Sequence, residues 1–474
     1  MIFRQYQLGC LSLFSYLIGD ETTGRAVVVD PQRDVSEYLA DSTTHGLRIE
    51  RIIETHFHAD FLSGHLELAA ATGAPISFGD AAHPDYPIEP LAHGQRIELG
   101  DVMLEVRNTP GHTPESISLV VHEHADAGPW GVLTGDALFI GDVGRPDLLA
   151  SAGWTGDQLA RLLYHSLQDQ LLSLPDPTRV FPAHGAGSSC GKHLSVATES
   201  TIGEQRTTNY ALAPMSEDAF VNAVTEGQTA APAYFAFAAD ANHRERELLD
   251  EHEPPEMLDL DAVQSLQHDG ATVIDTRTPE TFAAGHLRGA INVGLDGRFA
   301  EYAGSVIDPH TPIVVITDTG RETEAKVRLA RIGFDNVAGA LAQIETVLLE
   351  HPECADRASR VSATAVDEWR RAEPGLLIVD IRNPGEHEAG AIAGSTPIPL
   401  GQLRARRDEL DPRLPTVVYC AGGSRSSIAA STLRTLGVAN VADILGGYEA
   451  WTRAGLPIEP TPTDHAPTDQ RKEF

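Results

Sequence analysis

The stretch Glu54-Thr55-His56-Phe57-His58-Ala59-Asp60-Phe61 sets two imidazoles and a carboxylate at alternating positions directly behind the apolar pair Ile52-Ile53. On extended backbone leaving a strand, alternate side chains share a direction, so the three groups can face one point. A plain polar loop is the alternative, and it gives no reason for ligand-type residues to recur at other strand ends. They do recur. Val106-Arg107-Asn108-Thr109-Pro110-Gly111-His112 places a His after a strand and a Pro-Gly turn. Val132-Leu133-Thr134-Gly135-Asp136 ends a strand in an Asp, and Val180-Phe181-Pro182-Ala183-His184 ends another in a His. Six groups, His56, His58, Asp60, His112, Asp136 and His184, are therefore candidate metal ligands on separate strand ends.

Around that motif, residues 1–210 alternate short apolar runs with helical periodicity. Strands are predicted over 13–18, 26–29, 102–106, 117–121 and 131–133, with helices near 35–40, 63–71 and 156–172. The expected architecture is α/β, an αββα sandwich over 1–226. Residues 227–257, rich in Ala, Pro and charge, read as a partly helical connector ending in a solvated hinge. An internal repeat follows. Val273-Ile274-Asp275-Thr276-Arg277 returns as Ile378-Val379-Asp380-Ile381-Arg382, and Pro312-Ile313-Val314-Val315-Ile316 as Pro415-Thr416-Val417-Val418-Tyr419. This predicts two α/β domains, 258–355 and 360–460, and a polar tail over 461–474.

A length of 474 residues fits this count, since about three domains are expected for a chain of that size. Lys+Arg 35 against Asp+Glu 68 leaves a formal charge of −33, which argues against nucleic acid or an anionic membrane as a partner. Cys10, Cys190, Cys354 and Cys420 are scattered, without a CxxC pair, as in a reducing compartment. No leader pattern opens the chain and no run is long enough to span a bilayer, so a cytoplasmic protein, assembled as a homo-oligomer, is expected.

The six candidate ligands resemble the HxHxDH loop, later His, bridging Asp and final His of the metallo-β-lactamase superfamily. One position departs: Phe61 stands where that pattern has a His, which disfavours a second metal. Two His and one Asp have the donor composition of the non-haem Fe(II) facial triad, although donors alone do not choose iron over zinc. The run from Thr134 through Asp136, Asp142, Gly144 and Arg145 to Leu148 resembles the persulfide dioxygenases of this superfamily. That resemblance implies one Fe(II) per chain on His56, His112 and Asp136, with His58, Asp60 and His184 orienting ligands or water. Arg145, between Gly144 and Pro146, is expected to reach out to the carboxylate of a thiol cofactor or to the persulfide, against the alternative of a surface ion pair. Cys190 sits in a Gly/Ser loop near Lys192, a setting for an exposed thiol of lowered pKa, or for an inert small residue.

In the second repeat, Cys420-Ala421-Gly422-Gly423-Ser424-Arg425 lies between a strand and a helix. Loop N–H groups, the positive helix end and Arg425 would stabilise a thiolate and the persulfide formed from it. With Leu445-Gly446-Gly447-Tyr448, this loop resembles the rhodanese family. Cys420 and Arg425 are then catalytic, and Gly422, Gly423 and Ser424 bind the substrate. The first repeat has Thr317 at the Cys position, a loop one residue shorter, and Asp318 and Glu322 where an anion would sit. It is expected to be an inactive scaffold or docking surface.

The expected function is oxidation of a low-molecular-weight thiol persulfide by O₂ to sulfite, with Cys420 moving sulfane sulfur between persulfide, sulfite and thiosulfate. The alternatives are a glyoxalase II-like zinc thioester hydrolase and a persulfide carrier or sensor.

Overall fold

The computed structural model describes residues 1–148, 153–228 and 230–459, so the expected polar tail lies outside the described residues. The chain divides into two compact units, residues 1–253 with 326–335, and residues 254–325 with 336 onward.

The first unit is built on two sheets. One runs in the order Ile2–Leu8, Leu13–Asp20, Arg25–Val29, Arg48–Ile53, Ile76–Ser77. Its first two junctions are antiparallel and its last two parallel. The other runs Ser200–Thr201, Arg179–Pro182, Gly131–Gly135, Ile117–His122, Met103–Asn108, Arg96–Glu98. Strand alternation sorts the side chains into layers. Phe14, Tyr16, Ile18, Val27 and Val29 meet Leu104, Val106, Leu119 and Phe181 in the core between the sheets. Leu17, Val28 and Ile52 point outward onto Tyr38 and Leu68 of the helices Ser36–Thr44 and His65–Thr72. Val120, Val132 and Val180 do the same against Ala160 and Leu163 of the helix Gly156–His165. Helices thus cover both outer faces, giving the αββα sandwich. Each fully buried aliphatic side chain contributes roughly 1.5–3 kcal/mol relative to an exposed one.

The stretch expected to be a connector differs from its reading. It carries the helix Phe235–His243, and its polar groups hold the metal-type loop. Buried Asn242 donates through Nδ2 to the carbonyls of His58 and Phe61, both at 2.8 Å, and accepts from the Ser63 N–H at 2.9 Å. Tyr234 donates to the Asp60 carbonyl at 3.0 Å. The loop's backbone groups are buried and need partners, which this segment supplies. The first compact unit accordingly runs to Glu253, and the second begins at Pro254.

The second unit contains the repeat as two sheets of equal topology. One has the order Met257–Leu258, Val337–Leu341, Ile313–Ile316, Thr272–Asp275, Ile291–Asn292. The other has Ser359–Val361, Val441–Ile444, Thr416–Tyr419, Leu377–Asp380, Thr396–Pro397. The repeated Asp-x-Arg is a structural ion pair in both. Arg277 Nη2 lies 2.6 Å from Asp275 Oδ2 and donates to the Gly285 carbonyl at 3.0 Å. Arg382 Nη2 repeats this with Asp380 Oδ2 at 2.6 Å and the Gly390 carbonyl at 2.8 Å. Among the described residues, no helix is long and apolar enough to cross a membrane.

Candidate metal centre and thiol loop

His56, His112 and Asp136 leave three different strands and meet in a fully buried group. His112 Nε2 lies 3.4 Å and His56 Nε2 3.8 Å from Asp136 Oδ2. The other ring nitrogens are committed. Thr55 gives its hydroxyl hydrogen to Asp30 Oδ2 at 2.9 Å, so its oxygen accepts from His56 Nδ1–H at 2.9 Å. His112 Nδ1–H donates to the Arg145 carbonyl at 2.9 Å. Both rings are thereby held in the tautomer with a lone pair on Nε2.

Those lone pairs face Asp136 Oδ2, a buried oxygen without a hydrogen-bond partner. Two neutral nitrogens and one carboxylate oxygen converging on one point fit a divalent cation. Electrostatics agree. Burial, then the neighbouring His58, depresses His56; burial likewise depresses His112 against the opposing pull of Asp136. Burial would raise the Asp136 carboxyl, but His184, His112 and His56 outweigh it and hold it far below the usual range.

His184 supports the group. Its Nδ1 lies 2.8 Å from Asp136 Oδ1 and its Nε2 2.7 Å from Asp60 Oδ2. Burial opposes its charge, yet the two carboxylates raise it well above the ordinary histidine range. His58 turns its Nε2 to Asp30 Oδ1 at 3.2 Å and Glu54 Oε2 at 3.5 Å. His58, Asp60 and His184 also converge, but the Phe61 ring lies 4.4 Å from the His58 ring. Gly144 is required where it stands: a Cβ there would come within 2.0 Å of the Asp136 carbonyl oxygen.

Two expectations fail here. Arg145 does not reach outward. It is 1% exposed and pairs with Asp147 through Nε at 2.7 Å and Nη2 at 2.8 Å. A buried guanidinium needs a carboxylate, and Asp147, two residues on, supplies it. Cys190 is buried rather than exposed. Burial, then Asp60 and Asp136, pushes its thiol well above the usual range, and Lys192 is spent on the carbonyls of Ala223 and Glu226.

Cys420 ends the strand Thr416–Tyr419. The Gly423 N–H donates to its Sγ at 3.1 Å, with Gly423 at φ 102°, and Ser426 Oγ lies 3.8 Å away. Gly422 and Ser424 are exposed at the rim. The serine beside the sulfur is thus Ser426, two residues beyond the Ser424 singled out from the sequence. Arg425 is not free to act alone: Nη1 and Nη2 bind Glu386 at 2.9 and 2.8 Å. The loop is closed by Tyr448 N–H on the Cys420 carbonyl at 2.7 Å.

In the first repeat, Thr317 Oγ1 donates to the Asp318 carbonyl at 3.0 Å and the Gly320 N–H turns to Glu322 Oε2 at 2.9 Å. Its N–H is spent on a carboxylate of its own loop, so no equivalent anion cradle forms.

Residues 8–184 match the metallo-beta-lactamase superfamily, and residues 259–342 and 362–454 match the rhodanese-like domain. The persulfide dioxygenase ETHE1, mitochondrial, of Bos taurus is 32% identical over 235 residues, covering 49% of this chain and 83% of that protein. The Homo sapiens protein of the same name is also 32% identical, with the same coverage. The crystal structure of a metallo-beta-lactamase from Staphylococcus aureus subsp. aureus COL is 34% identical, with a TM-score of 0.65, covering 72% of this chain and 99% of that one.

Proposed function

We propose that this chain, which belongs to the persulfide dioxygenase family of the metallo-beta-lactamase superfamily and carries two rhodanese-like domains, couples persulfide oxidation to sulfur transfer. Its substrate is a low-molecular-weight thiol persulfide. The terminal sulfur leaves as sulfite and the thiol is returned; O₂ and a water supply the three oxygens, and two protons are released. The observation that carries this reading is the convergence of the His56 and His112 Nε2 lone pairs on the unpartnered Asp136 Oδ2.

His56, His112 and Asp136 would hold a single Fe(II). Iron there supplies the binding and activation of O₂. The residues around it do the rest. Thr55 and the Arg145 carbonyl fix the two ring tautomers. His184 holds the second Asp136 oxygen and leaves Oδ2 for the metal. In the thiol loop, Cys420 accepts sulfane sulfur and the Gly423 N–H stabilises the anionic sulfur that results. That sulfur moves either from thiosulfate to a thiol or from a persulfide onto sulfite.

The test is metal analysis and O₂ uptake on one anaerobically purified sample, supplied with glutathione or coenzyme A persulfide. One iron per chain with persulfide-dependent O₂ uptake is expected, and Asp136→Ala should lose both. Two bound zinc ions with thioester hydrolysis would overturn the proposal.

A further inference from the structure

The helix Ser424–Thr435, which opens at the Cys420 loop, is buried at every residue from Ser426 to Leu433. A helix lying on one sheet leaves its far face wet, so this pattern needs a second wall. The wall is the strand Ile291–Asn292 of the domain with Thr317 at the loop position. Asn292 is fully buried, and its backbone N–H donates to Ser431 Oγ at 3.0 Å. Its side-chain oxygen accepts from Ser427 Oγ at 2.7 Å. Ser427 and Ser431 are four residues apart and so share one face of the helix. Behind them, Asn292 Nδ2 donates to the carbonyls of Asp275 and Arg277 at 3.0 and 2.8 Å. The amide therefore ties the helix to the buried Asp-x-Arg segment of the neighbouring domain.

The fold itself does not require this residue. Asn292 pairs in register with Asp275, and the matching position beside Asp380 in the second repeat is Pro397. From Ser427 the helix runs back one turn to Gly423, whose N–H meets the sulfur. A small shift of the helix would take that donor off the sulfur, because hydrogen bonds weaken steeply with misalignment.

We propose that Asn292 is a positioning residue for sulfur transfer at Cys420. The domain that carries Thr317 in place of the loop cysteine sets the register of the helix through Ser427 and Ser431 and so keeps the Gly423 N–H on the sulfur. This rests on the sulfur-transfer role proposed for Cys420.

The test uses the full chain with Asn292→Ala, Ser427→Ala and the double variant. Three quantities are measured: kcat and KM for thiosulfate with cyanide, the rate of Cys420 alkylation by iodoacetamide at fixed pH, and Tm. Asn292→Ala should lower kcat about tenfold with KM within about twofold, and slow alkylation several-fold. The double variant should be no worse than Asn292→Ala, since both changes remove one linkage. A fall in Tm with unchanged kcat and unchanged alkylation would overturn the proposal, as would fully additive losses. Should Asn292→Ala fail to fold, Ser427→Ala, which removes a single hydroxyl, decides by the same readouts. A wild type without sulfurtransferase turnover would refute the reading of Cys420 itself; the alkylation rates would still report whether Asn292 positions its thiol.

Discussion

The two oxygens of Asp136 have separate tasks: Oδ1 accepts from His184, and Oδ2 is left facing two imidazole lone pairs. A buried carboxylate oxygen without a donor is costly, and a cation is the partner that removes the cost. Cys190 shows the opposite use of burial. Burial, then the nearby Asp60 and Asp136, holds its thiol well above the usual range, so it stays protonated. We expect Cys190 in the native protein to react with iodoacetamide on the order of a hundredfold more slowly than in the guanidinium-unfolded chain. Mass-spectrometric mapping of the alkylated sites checks this, and labelling of Cys190 at the rate of the partly exposed Cys10 would show the environment to be misjudged.

Among the elements, the closing turn before the helix Gly447–Arg453 constrains the thiol loop most tightly. Gly447 has φ 55°, and a Cβ there would stand 2.3 Å from the Cys420 carbonyl oxygen and 2.6 Å from that of Ala421. Both atoms are backbone, so relief requires moving the loop that carries the sulfur. Gly447→Ala should lower thiosulfate:cyanide activity by at least about tenfold. Metal content and persulfide-dependent O₂ uptake should stay at wild-type levels. Loss of metal in this variant would contradict the separation of the two compact units. The Asp-x-Arg pairs are a contrasting case, keeping one geometry in both repeats while only the second has a cysteine at the loop position.

For the whole molecule, joining the proposed oxidising site to the proposed sulfur-transfer site would raise the local concentration of whatever one site releases for the other. Cys420→Ser removes the sulfur carrier and leaves the residues around Asp136 intact. This variant should consume O₂ with a supplied persulfide and release sulfite. The wild type should show a different sulfite-to-thiosulfate ratio at similar O₂ uptake, or should take up O₂ on thiosulfate plus thiol. Equal product ratios together with no uptake on thiosulfate plus thiol would uncouple the two sites. Adding Thr317→Cys to Cys420→Ser should restore no sulfurtransferase activity, because the Gly320 N–H is already bound to Glu322.

The sequence by itself determined the sandwich and the repeat and named six candidate ligands, of which only the resemblance to persulfide dioxygenases singled out His56, His112 and Asp136. Strand period and ligand chemistry are local properties: residue type and spacing carry them whatever the surroundings. Only the tertiary structure decided four other points. Arg145 spends its charge on Asp147, and Cys190 is sealed beside carboxylates. The stretch 227–257, read as a connector from its Ala, Pro and charge, satisfies the buried backbone of the metal loop through Asn242 and Tyr234. Asn292, an ordinary polar residue in its own segment, meets Ser427 across 135 positions of chain. In each case the outcome depends on which distant group arrives to pair with a side chain, and composition reads the same whether that partner is water or protein.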